Sequence, residues 1–169
     1  MSLSKLFLTE FEQEMTHTRK TIERITDDKF NWRPHEKSFT MGDLATHLAN
    51  VQTWVNATLD KDEFDMHPKE GEEFIPPKAE NKNEVLELFD KNNEEAKQSL
   101  TNTSDEKLNE NWSLLSGGNT IFTMPKSDVI RSFVLNHIIH HRAQLGVYLR
   151  LNDLPVPAIY VPTADEGSI

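Results

Sequence analysis

The sequence contains no cysteine. That excludes disulfides, thiolate zinc sites and a cysteine nucleophile, and it limits any metal site to His, Asp, Glu and water. No apolar run approaches the roughly 18 residues that a membrane-spanning helix needs. Basic residues are also scarce: 18 Lys and Arg stand against 28 Asp and Glu, a net charge of −10. Such a surface repels a nucleic-acid backbone, and no Lys/Arg cluster offsets it. Neither a nucleic-acid nor a membrane partner is therefore expected. The opening Met1-Ser-Leu-Ser-Lys enters an amphipathic helix without a signal-peptide cleavage region, so a cytoplasmic location is expected. There is no G-x-S-x-G elbow and no H-E-x-x-H run, and nothing assembles a triad around Ser132. The paired carboxylates Glu72-Glu73 and Glu94-Glu95 lie in polar runs and read as solvated faces.

What is present suits a soluble globular chain: 169 residues, 36% of them apolar and 27% charged. One domain over residues 1–169 is expected, long enough to bury a core without staples. Leu3, Phe7, Phe11, Met15, Thr18, Ile22 and Ile25 recur at three- and four-residue steps, which predicts a first helix from Ser2 to about Thr26 with His17 solvated. Phe30 and Trp32 lie in a connector ending at Pro34 and are expected to cover one end of the core. A second helix starts near Ser38 or Thr40, where Thr40 and Asp43 approximate a capping box. Its stripe is Leu44, His47, Leu48, Val51, Trp54 and Val55. The acidic stretch from Asp60 to Glu80 reads as a long connection, a crossover between bundle ends in preference to a lid.

A third helix is expected from about Lys82 to Thr101. Two short strands, Asn109 to Leu115 and Asn119 to Thr123, then flank a Gly117-Gly118 turn. The last helix begins near Pro125, a first-turn proline, and stops at the Asn152-to-Pro157 run. The tail carries Ile159, Tyr160 and Val161 and is expected to pack back on the helices. The fold class is thus all-α: an up-down four-helix bundle with a long crossover and a short β-hairpin before its last helix.

Histidines carry the chemistry. At about 100° per residue, the last helix buries an arc made by Ile130, Phe133, Val134, Ile138, Leu145, Tyr148 and Leu149. His141 falls near its centre and His137 about 40° away, whereas His140 lies about 100° off, at the edge. His137 and His141 are one turn apart and can converge on one point; His137 with His140 is the fallback pair. His47 occupies a stripe position where an aliphatic residue is usual. Buried polar groups without partners cost a few kcal/mol each, so each imidazole is either hydrogen-bonded within the core or a ligand. Three inward histidines on two core helices favour a divalent metal held by His47, His137 and His141; Asp43, Asn50 and Gln144 are candidates to support them, though each reads more readily as a surface or capping residue. Three protein ligands leave a position for water or substrate, whereas a structural zinc site fills all four. A fourth ligand from His67 or Glu72 would make the site structural instead.

Three stretches resemble the DinB-like (damage-inducible protein) family of metal-binding four-helix bundles. They are Trp32-Arg33-Pro34 with Ser38 and Leu44-Ala45-Thr46-His47-Leu48; Asn136-His137-Ile138-Ile139-His140-His141-Arg142-Ala143-Gln144-Leu145 with Tyr148-Leu149-Arg150; and Pro155-Val156-Pro157-Ala158-Ile159-Tyr160 with Ala164-Asp165-Glu166. Ala143 stands where the family often has glycine. The resemblance implies a three-histidine zinc or nickel site at His47, His137 and His141, and a homodimer. The open fourth position favours a metal-dependent enzyme acting on a small-molecule substrate, although family membership alone does not settle the reaction. Some related proteins are thiol-dependent transferases or isomerases that activate a low-molecular-weight thiol cosubstrate at the metal. A metal-dependent hydrolase and a non-catalytic metal-binding dimer are the alternatives.

Overall fold

The computed structural model describes residues 2–69 and 75–167. Helix α1 (Leu3–Ile22) buries Phe7, Phe11, Met15, Thr18 and Ile22, the expected stripe. Its free N-terminal amides are met by Ser2, whose hydroxyl accepts from the Lys5 N–H, and by Asp105, whose carboxylate accepts from those of Leu3 and Ser4. The connector that follows includes a short 3-10 turn (Asp27–Lys29) and folds back on itself. The Met41 N–H donates to the Trp32 carbonyl and the Gly42 N–H to that of Phe30, both at 2.8 Å. Phe30 is buried against Gly42, where even a methyl group would run into the ring. Glycine is required there by space rather than by backbone angle.

Helix α2 (Met41–Val51) starts at Thr40, whose hydroxyl accepts from the Asp43 N–H at 3.0 Å, as the capping motif predicts. The second helix is broken at Gln52-Thr53 and resumes as α3 (Trp54–Leu59). The buried Gln52 amide occupies the break, donating to the carbonyls of Ala49 and Phe89. Helix α4 (Lys82–Asn102) buries Val85, Phe89, Asn92, Ala96 and Leu100; Asn92 donates to the Ala49 carbonyl and ties α4 to α2. A short α5 (Asp105–Asn109) precedes the hairpin.

The hairpin forms between β2 (Asn111–Ser116) and β3 (Asn119–Pro125). Gly117 and Gly118 both have positive φ, 61° and 79°, the pair that a type I′ turn demands. A third strand, β1 (Glu63–Asp65), comes from the acidic connection and pairs in parallel with β2. Asp65 caps the arrangement by accepting from the N–H groups of Gly117 and Gly118. The expected all-α class is corrected to a mostly helical fold with a small three-stranded sheet. No local pattern marks β1, because three residues paired to partners 50 positions away carry no periodicity of their own.

Pro125 ends β3 and precedes the last helix as its N-cap, not as its first-turn residue. The helix is continuous but not uniform: α6 (Lys126–Val129), a π turn (Ile130–Leu135) and α7 (Asn136–Leu151). Lys126 is fully buried, its ammonium donating to the Thr58 carbonyl and the Asp62 carboxylate, both at 2.9 Å. Helix α1 packs on α4 and α7, and α2 packs on the same two. One core lies between these helices; a smaller one around Trp112, Leu114 and Val129 lies under the sheet.

Candidate metal centre

In the π turn the Asn136 N–H reaches back five residues to the Arg131 carbonyl. Such wide turns slip the helical phase. Beyond this one the buried stripe of α7 is Ile138, Arg142, Leu145 and Leu149. Each of His137 and His141 therefore stands one residue before a buried one, and both are half-buried. A uniform wheel puts His141 near the centre of the buried arc and Phe133 and Tyr148 inside it. All three are half-buried, and Arg142 holds the central place. His47 is half-buried in the same way, beside the buried Leu48 on α2.

Packing of α2 on α7 brings these edges together. The Nε2 atoms of His47 and His137 lie 3.1 Å apart, and the ring centroids are 4.9 Å (His47 to His137), 4.7 Å (His47 to His141) and 4.7 Å (His137 to His141) apart. One ring nitrogen from each of the three falls within 4.8 Å of the others, an arrangement that can hold a metal ion. Nitrogens bound to one tetrahedral ion at 2.0–2.1 Å lie about 3.3 Å apart; the His47–His137 pair is already near that spacing, and the His141 nitrogen lies within 4.8 Å of both.

The outer nitrogens support that fit. His137 Nδ1 faces the Phe133 carbonyl at 3.3 Å, and His141 Nδ1 faces Gln144 Oε1 at 2.8 Å. Both partners are acceptors, so each Nδ1 carries the proton and each Nε2 offers a lone pair. This is how metal-binding imidazoles are normally oriented. Burial is the main reason that all three histidines have lowered pKa values, with His47 down to about 4. Their mutual repulsion adds to this: His141 and His137 act on His47, His141 on His137, and His140 on both His137 and His141. The rings are thus neutral and ligation-competent near pH 7.

Of the expected supporting groups, Gln144 reaches a histidine among the described residues; Asp43 and Asn50 do not. Gln144 also contacts the exposed His140 across 3.0 Å, so His140 stands outside the cluster, as the wheel indicated. His67 is not part of the cluster either: its N–H donates to Asp65 and its carbonyl accepts from Gly117. Glu72 and Glu73 lie outside the described residues.

Two features escaped the sequence reading. Phe39 stacks on His47 at 5.7 Å and meets His141 edge-on at 6.4 Å, roofing two of the three rings. Only its place just before the α2 cap hinted at this. Behind the histidines, Arg142 is buried with Glu14 in an ion pair of 2.6 Å, and Tyr160 donates to the same carboxylate. A glutamate among the stripe residues of α1 was the available signal. Tyr160 also brings the tail onto the helices, as expected, and meets His17 edge-on at 5.4 Å. His17 is consequently half-buried rather than solvated, and burial lowers its pKa.

A profile described as DinB family matches residues 1–168. The chain belongs to the DinB family. A relative, the uncharacterized protein YrdA of Bacillus subtilis (strain 168), is 24% identical over 164 residues, covering 95% of this chain and 89% of its own length. Two solved structures share the fold. A DinB-like protein from Bacillus cereus ATCC 10987 superposes with a TM-score of 0.70 at 24% identity, over 91% of this chain and 95% of its own. The DinB-like protein YjoA from Bacillus subtilis gives 0.67 at 16% identity, over 93% and 99%. Among the described residues, no helix of this DinB family protein is long and apolar enough to cross a membrane.

Proposed function

We propose that His47, His137 and His141 hold a divalent metal, zinc or nickel, and that the protein is a metal-dependent enzyme using a low-molecular-weight thiol as cosubstrate. The observation that carries this reading is the set of three half-buried histidines with ring nitrogens within 4.8 Å of one another. Lewis acidity is what a metal would supply there, favouring the deprotonated form of a thiol or water beside it. The chain's own groups do the positioning. Phe133 and Gln144 hold the outer Nδ1 atoms, so that lone pairs point to the common centre. Phe39 shields His47 and His141 from water on one side.

A thiol is taken as the nucleophile because the family resemblance includes thiol-dependent transferases; a hydrolase using metal-activated water is the alternative. The reaction class is thus transfer of the thiol to an electrophilic small molecule, or an isomerisation assisted by it.

Metal analysis of protein purified without a histidine tag or chelator tests the site. About one metal per chain is expected, lost on His141→Ala. A metal-free parent, or unchanged metal in the variant, would sink the assignment. Conjugation of 1-chloro-2,4-dinitrobenzene with several small thiols then tests the reaction. A metal-dependent rate with one of them is the expected result, and none with any thiol refutes the transferase reading.

A further inference from the structure

A groove of about 360 Å³ opens beside the histidine cluster, between one face of α2 and residues 75–78. Its volume falls in the range of about 300–1,000 Å³ usual for small-molecule sites. His47 forms part of its wall, and so does Phe39, the residue that stacks on His47 and meets His141. The opposite wall is Ile75-Pro76-Pro77. Ile75 is 83% exposed and Phe39 49% exposed, two large apolar side chains facing solvent around one concavity. Exposed apolar surface gathered at a hollow marks a binding site more often than the same residues scattered singly. The prolines carry no N–H, so this wall offers contact area and little hydrogen bonding. Among the described residues, Asp43 and Lys78, one charge of each sign, are the ionic groups of the lining.

A second apolar groove of about 410 Å³ lies on the outer side of α7, lined by Val147, Val156 and Tyr160 among others, and includes none of the three clustered histidines. The groove at α2, by contrast, has His47 of the cluster in its lining. We propose that this groove binds the uncharged, apolar body of the small-molecule substrate and presents its reactive end at His47. This rests on the reading of the cluster as a metal-dependent active site.

The test uses the neutral apolar fluorophore N-phenyl-1-naphthylamine as probe, titrated into the full-length protein. Saturable binding is expected, weakened at least tenfold by Ile75→Asp and changed less than twofold by Val147→Asp. Because Ile75 is largely exposed, its replacement leaves the fold intact, which far-UV circular dichroism checks, and leaves metal content at the parent value. Absence of saturable binding, equal affinity in Ile75→Asp, or loss in Val147→Asp alone would overturn the proposal. The two readings fail separately. Failure of the metal assignment shows in the metal content of the parent and His141→Ala; failure of the groove shows in probe affinity, which His141→Ala is expected to leave within twofold.

Discussion

Glu14→Ala is the most informative single perturbation of the scaffold. Arg142 is 4% exposed and Glu14 5% exposed, so neither charge has bulk water to fall back on. In the variant the guanidinium keeps the Glu14 main-chain carbonyl at 3.1 Å, the Thr18 hydroxyl at 3.3 Å and the Tyr160 hydroxyl at 2.6 Å, but it loses its counter-ion at 2.6 Å. Leaving one member of a buried pair uncompensated costs about 3–5 kcal/mol, out of a total stability of about 5–15 kcal/mol. For a chain of this length each kcal/mol lowers the melting temperature by about 2–4 °C, so a fall of roughly 6–20 °C is expected. Urea unfolding of metal-free protein, followed by far-UV circular dichroism, avoids the added stabilisation that a bound ion gives the folded state. The double variant Glu14→Met/Arg142→Met removes both charges and fills similar volume, and should recover most of the loss, since apolar replacements of buried pairs are often neutral or better. A cost below about 1 kcal/mol for Glu14→Ala, or a double variant less stable than Glu14→Ala, would refute the argument.

Two further outcomes follow from particular contacts. Gly42→Ala drives a methyl group into the buried Phe30 ring; overpacking of this kind costs about 1–3 kcal/mol, and Phe30→Leu in the same chain should relieve it, as chemical denaturation would show. The histidine cluster makes metal-free stability pH-dependent. The His47 pKa is depressed to about 4 in the folded state, while unfolded imidazole titrates near 6.5. Between these values the unfolded chain binds more protons, so stability falls on acidification from about pH 6.5 towards 4 and is fully present above that window. His47→Gln should flatten the slope of urea midpoint against pH over this range; an unchanged slope would show that His47 does not carry it.

Much of the architecture is written locally. Three- and four-residue spacing is enough to place α1, α4 and the last helix within a few residues, because burial of one helical face depends only on that spacing. Gly117-Gly118 specified the hairpin turn, since few other residues accept positive φ twice in succession. The separation of His137 from His141 and the odd position of His47 marked the candidate ligands before any packing was known. Tertiary structure decided the rest. Whether His47 meets a pair 90 residues away depends on how α2 lies against α7, which no local pattern states. The π turn shifted which face of the last helix is buried, moving His141 from the centre of that face to its edge beside His137. Arg142 took the vacated central position because Glu14, on a helix 128 residues earlier, was there to neutralise it. Periodicity reports which side chains share a face; only the assembled helices determine what that face meets.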